Sequence, residues 1–221
     1  ISLHNEDMIR EKGIMLGDTL IVERAGDVIP YIVGVVPDLR NGSEQPLVFP
    51  SNCPSCASPL IRPNEEVVWR CENADCPAQL EERIIHFVSK EAMDIDGLGR
   101  QIVIDFIANG LLKNIEGIYA LDFETIRTLE GWGEKSIENL KNGIEQSKKR
   151  PLWRLLVALG IRHVGTGTAK DIAGHILSIH ELSTKTVEDL VAIEGIGPKV
   201  ANSIHDFFTY VANIHLIHDL E

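Results

Sequence analysis

The residues best placed to do chemistry are the four cysteines, all inside the stretch Asn52 to Ala78. Two residues separate Cys53 from Cys56, four separate Cys71 from Cys76, and fourteen lie between the pairs. Short loops at that separation aim four sulfurs at one point, the ligand set of a tetrahedral zinc site. Pro54 and Pro77 stiffen the turns, and Ser55 is small enough to let backbone amides reach the sulfurs. Between the pairs only Leu60, Ile61, Val67, Val68 and Trp69 are sizeable apolar groups, too few for an independent core. A metal replaces that core, since zinc binding in such modules contributes about 10–16 kcal/mol to folding. Two disulfides, four reduced thiols and an iron–sulfur centre are the competing uses. Four thiolates leave no open coordination position, so Zn2+ is structural here and no catalytic residue is expected.

Composition frames the rest. The chain has 221 residues, 44% of them hydrophobic and 24% charged, enough for one large domain or two small ones. No stretch approaches the roughly 20 apolar residues of a membrane span, so no membrane partner is expected. The opening ISLHNEDMIREKG has no basic-then-apolar leader and no initiator Met, which suggests part of something longer. Reduced thiolates without a leader point to the cytoplasm. The net charge of −12 argues against nucleic acid, whose phosphates usually meet a basic surface.

Residues 1 to about 48 read as β. Gly17-Asp18 and Ala25-Gly26-Asp27 are turn signals around the run Thr19 to Glu23, and Val28 to Val36 supplies further strand, interrupted at Pro30. Asp38 to Pro50 reads as a loop or linker. From about Pro77 the period becomes helical, beginning with Gln79 to Lys90.

A repeat follows. Ile95-Asp-Gly-Leu-Gly99, Leu129-Glu-Gly-Trp-Gly133, Ile161-Arg-His-Val-Gly165 and Ile193-Glu-Gly-Ile-Gly197 each sit between two apolar helices, their last glycines 34, 32 and 32 residues apart. Four such units in register make a helix–hairpin–helix array. The first glycine (Gly97, Gly131, Gly195) permits a positive φ; the second (Gly99, Gly133, Gly165, Gly197) lets the backbone N–H groups of the following helix approach a ligand. Leu98, Trp132, Val164 and Ile196 plug the hairpins into the core. Amides at a helix start, backed by the macrodipole, form an anion site, and a phosphate diester is the natural guest. Backbone amides read no bases, so binding should ignore sequence. Arg100, Lys135, Arg162 and Lys199 flank the turns, and Lys148-Lys149-Arg150 is a further cluster. Acidic Asp96, Glu130 and Glu134 oppose a phosphate, and His163 replaces the glycine of the third unit. The eight histidines form no catalytic constellation; His163 and His175 read as packing or surface residues.

On the motifs LHNED, GDTLIVERAGDVIP, VGVVP, FPSNCPSC, DIDGLG and ALGIRHVG, in that order, the chain resembles the bacterial NAD-dependent DNA ligases along essentially its whole length. The resemblance implies a mainly α, multi-domain chain: the C-terminal part of an OB fold at residues 1–48, a four-cysteine zinc finger at 49–78, and a helix–hairpin–helix DNA-binding domain at 79–221. It implies that Arg24 and Gly26 belong to an OB loop near DNA. It also implies a monomer that grips nicked double-stranded DNA through the phosphate backbone, with the finger holding the two domains in relation. The family's nucleophile lies in a Lys-x-Asp-Gly motif that this chain lacks. NAD+, Mg2+ and the sealing of 3′-hydroxyl to 5′-phosphate therefore belong to an adenylation domain of the same polypeptide, and these 221 residues should be inactive alone. The alternatives are a non-enzymatic DNA-repair module and a protein-interaction scaffold whose acidity serves a protein partner.

Overall fold

The computed structural model describes residues 1–24, 30–63, 66–73 and 76–220. The expected turn Ala25-Gly26-Asp27 and the start of the next strand run lie outside them. The chain divides into two units, Ile1–Pro77 and Ala78–Glu221.

The first unit opens with a helix where only β structure was expected. Asn5 accepts a hydrogen bond from the Met8 amide through its side chain and starts α1, Glu6–Glu11. Glu6 and Asp7 in its first turn and Arg10 in its last complement the helix dipole. Only Ile9 is buried, too little for a periodic signal to register in the sequence. Six described strands then pair two by two, all antiparallel: β1 (Met15–Leu16), β2 (Leu20–Glu23), β3 (Tyr31–Val35), β4 (Gln45–Pro46), β5 (Leu60–Ile61) and β6 (Arg70–Cys71). β2 faces β3 with an irregularity between Ile21 and Val22. β1 pairs with β4, so the presumed linker Asp38 to Pro50 returns to the sheet. What brings it back is Arg40, which forks onto Asp18 at 2.6 and 2.7 Å and donates to the Gly13 carbonyl at 2.7 Å. The Asp18 carboxylate also accepts from the Met15 amide, and this pairing, led by Arg40, holds its pKa below the usual range.

The second unit is helical throughout its described residues. α2 (Pro77–Val88), α3 (Arg100–Ala108), α4 (Phe123–Arg127), α5 (Glu134–Ser147) and α6 (Leu152–Ala158) are followed by α7 (Thr166–Ala173), α8 (Ile179–Ser183), α9 (Val187–Val191), α10 (Pro198–Thr209) and α11 (Val211–Leu220). Short helices start on side-chain caps: Asp122 for α4, Ser178 for α8, and a reciprocal Thr186–Asp189 box for α9. Such caps contribute about 1 kcal/mol each, which matters for helices of five residues. One continuous core runs through the unit, with Ile84, Phe87, Phe106, Leu140, Leu156, Ile172 and Ile204 fully buried. Burying a side chain of this size contributes about 1.5–3 kcal/mol.

Candidate metal centre and phosphate-facing hairpins

The finger builds its sulfur cluster from two knuckles. In the first, Ala57 takes a positive φ of 59°, its amide donates to the Cys53 carbonyl, and the Cys53 amide donates to the Ser58 carbonyl, each at 2.8 Å. This turn points Cys53 and Cys56 the same way. The second pair arrives through β6, whose Cys71 lies opposite Leu60 of β5. Four Sγ atoms then lie within 4.8 Å of one another, Cys53 to Cys76 at 3.9 Å and Cys56 to Cys71 at 3.5 Å. None of the four is in a disulfide. Thiolates tetrahedrally arranged about zinc at 2.3 Å stand about 3.8 Å apart, so the measured separations fit that ion.

The electrostatics agree. The Ser58 hydroxyl and amide, with help from Asn73, lower the Cys56 thiol to about 6. The Asn73 amide favours the Cys71 thiolate, yet burial and the sulfurs of Cys56, Cys53 and Cys76 push that thiol up to about 12. Four thiolates cannot share this volume without a cation between them. A divalent metal removes the repulsion, and the four cysteines supply its whole coordination.

Ser58 and Asn73, rather than the small Ser55 that the sequence suggests, are the residues that serve the sulfurs. Asn73 also donates to Ser58 Oγ at 3.1 Å, tying the knuckles together. A polar residue two places after each inner cysteine was the available signal. Nothing local marked the residues that seat the finger. Arg62 pairs with Asp7, and Trp69 Nε1 donates to Glu6 at 2.7 Å, across 55 and 63 residues of chain. The Glu6-Asp7 part of LHNED thus anchors the finger to α1.

In the second unit the four pentapeptides lie between α2 and α3, α4 and α5, α6 and α7, and α9 and α10. Gly97, Gly131 and Gly195 have φ of 82°, 85° and 86°, and His163, in the glycine's place, has φ of 65°. The third hairpin therefore keeps the backbone of the other three. Gly99, Gly133, Gly165 and Gly197 each stand as the extended residue before the next helix, without a side-chain cap. A Cβ at any of the four would meet nothing within 4 Å. Helix starts leave their first amides without intrahelical acceptors, and here the approach to them is open. Leu98, Val164 and Ile196 are buried, while Trp132 is half-buried against Phe106, ring centroids 5.3 Å apart.

Several of the flanking cations are paired with acids. Arg100 is held by Glu82 through two bonds of 2.8 and 2.7 Å. Lys148 pairs with Glu145 at 2.5 Å, and Arg150 with Asp94 at 2.6 Å, so the basic run is partly neutralised. Lys135, Arg162 and Lys199 are exposed beside their turns, and Arg24 is exposed after β2. Gly26 lies outside the described residues. No described helix is long and apolar enough to cross a membrane.

Comparison with known proteins matches these parts in the same order. The model of the NAD-dependent DNA ligase OB-fold domain matches residues 1–44, that of the NAD-dependent DNA ligase C4 zinc finger domain matches 52–78, and a helix-hairpin-helix motif model matches 154–217. A DNA ligase of Sulfurihydrogenibium azorense is 53% identical over all of this chain and 32% of its own length. Those of Persephonella marina and Aquifex aeolicus are 52% and 50% identical over all of this chain and 31% of theirs. The chain thus spans about a third of the length of the curated relatives it matches. With its OB-fold segment, four-cysteine finger and helix–hairpin–helix array, the chain belongs to the NAD-dependent DNA ligase family.

Proposed function

We propose that this chain is the part of an NAD-dependent DNA ligase that grips duplex DNA around a nick, without reading its sequence. The observation that carries this is the shared geometry of the hairpins: a positive φ at the first position, then an uncapped, unobstructed glycine opening a helix of eight or more residues. Such amides donate to phosphate oxygens. In this reading Gly97, Gly99, Gly131, Gly133, Gly165, Gly195 and Gly197 shape the contacts, and Arg24, Gly26, Arg100, Lys135, Arg162 and Lys199 add cations. Cys53, Cys56, Cys71 and Cys76 hold the Zn2+ that keeps the finger folded.

Chemistry stays with the rest of the ligase. An adenylation domain of the same polypeptide, using NAD+ and Mg2+, joins the 3′-hydroxyl to the 5′-phosphate while this segment holds the duplex, as a monomer in the cytoplasm. The test is fluorescence anisotropy of the zinc-loaded chain on nicked and intact duplexes of two sequences across a salt series. Expected is affinity that ignores sequence and falls with salt, each phosphate contact adding about 0.9 to the slope of log K against log salt. Preference for the nicked duplex ties the grip to ligation. Absence of binding at low salt defeats the proposal and favours a protein partner for this acidic chain.

A further inference from the structure

The four hairpins are alike in backbone and unlike in surroundings. The first two turn towards each other. The Asp96–Gly97 turn lies against α5, where a Cβ on Gly97 would come within 3.2 Å of the Leu140 Cα. Trp132 of the second turn packs on Phe106 of α3 in return. A cavity of about 380 Å³ between them is lined by Gly97, Glu130, Gly131 and Trp132. Several of their charges are also met internally. Asp96 accepts from the Gly97 amide at 3.0 Å, and Arg100 is held by Glu82. Glu134 sits in the first turn of α5, where it favours the positive helix end itself, and Arg127 neutralises it at 2.9 Å. The fourth hairpin carries Glu194 in its turn, and the Asp171 carboxylate stands 3.5 Å from where a Gly195 Cβ would be.

The third hairpin differs in the charge around it. From Gln146 to Lys170 the chain places six of its 21 cations and none of its 33 acids. Lys148 and Arg150 pair with Glu145 and Asp94, while Arg154 and Lys170 meet at the Trp153 ring. The Arg154 guanidinium lies 4.8 Å from the centre of the Trp153 ring, and Lys170 Nζ of α7 lies 4.9 Å from it. Arg154 also donates to the carbonyls of Lys90 and Ala92, neutral partners that fix it without cancelling its charge. Trp153 therefore holds two like charges together between the start of α6 and the middle of α7. That arrangement raises the local positive potential and removes rotamer freedom before an anion arrives.

Resting on the phosphate-grip reading, we infer that the α6–α7 sector is the main electrostatic anchor for the DNA backbone. Its Arg154–Trp153–Lys170 platform supplies the charge, and the first two hairpins add weaker phosphate contacts. The departure at His163 does not weaken this sector, because the residue accepts the left-handed backbone that the turn requires.

The test compares two exposed lysines, Lys170→Gln in the third unit and Lys135→Gln in the second, on the zinc-loaded 221-residue chain, by anisotropy with duplex DNA across a salt series. Far-UV circular dichroism checks that both fold. Lys135 stands nearer a helix start than Lys170, so equal hairpins would make Lys135→Gln the costlier change. Expected instead is a five- to ten-fold weaker affinity for Lys170→Gln, with the salt slope reduced by about 1, and a smaller, two- to three-fold loss for Lys135→Gln. Trp153→Leu should lose two- to four-fold by releasing Lys170. If the parent chain binds but Lys135→Gln matches or exceeds Lys170→Gln, the anchor is misplaced and the phosphate grip stands. If the parent chain shows no salt-dependent binding, the grip itself fails and the anchor with it.

Discussion

Gly143, in the middle of α5, packs so closely against the backbone of Asp96 that a Cβ there would overlap the Asp96 carbonyl oxygen. The helix gives up a better helix former at this position so that the first hairpin can lie on it. On propensity alone, Gly143→Ala would stabilise an exposed helix by about 0.5–1 kcal/mol. Here the obstruction is backbone, which cannot swing aside, so the packing loss wins. Urea unfolding followed at 222 nm should show Gly143→Ala destabilised by about 1–3 kcal/mol. A stabilised variant would mean that α5 and the hairpin are not in contact.

The finger is joined to α1 by Asp7–Arg62 and Glu6–Trp69, while the helices of the second unit have a core of their own. Loss of metal should therefore disorder the finger and spare most helix. Cys71→Ser should release the bound zinc, shift the tryptophan emission as Trp69 leaves Glu6, and keep most of the far-UV helical signal. Retained zinc with unchanged emission would contradict a four-thiolate site.

Asp18 and Arg40 give the first unit an acid sensitivity whose sign is fixed. The Arg40 guanidinium and the Met15 amide hold the Asp18 pKa below its unfolded value. Their contribution is fully present above about pH 3.9, the ordinary aspartate value. It is lost as pH falls through the lowered folded value. The protection of the Val36 and β1–β4 amides, taken relative to intrinsic exchange at each pH, should fall below about pH 4, and Asp18→Asn should be less protected already at neutral pH and lose that pH dependence. Exchange equally slow in the variant would show that β4 is held by something other than Arg40.

Periodicity and spacing carried much of this molecule. Cysteine spacing pointed to the sulfur cluster, and the glycine–hydrophobic–glycine pentapeptides located four helix pairs, because both signals are local. What stayed hidden depends on partners far along the chain. α1 is six residues with one buried side chain and offers no period to detect. β4 is two residues long and exists because Arg40 reaches back to Asp18. The seating of the finger joins residues more than fifty positions apart. The unequal surroundings of the hairpins were partly visible as the acid-free run from Gln146 to Lys170, but its meaning required knowing which cations already have carboxylates.

His163 offers a direct measure of what the hairpin turn demands. At φ of 65° a residue with a Cβ is held in the left-handed region at a cost of about 1–2 kcal/mol. Replacing it by glycine removes that strain but adds freedom to the unfolded chain worth about 0.4–1 kcal/mol. His163→Gly should therefore raise stability by about 0.5–1 kcal/mol in urea unfolding, the difference of those two effects. His163→Val, whose branched Cβ resists positive φ more strongly, should lower stability by about 1–2 kcal/mol. Because Val164 stays in its pocket and Gly165 keeps the helix start open, the glycine variant should bind duplex DNA as the parent does. A glycine variant that is less stable than the parent would mean that the histidine side chain makes contacts outweighing its strain.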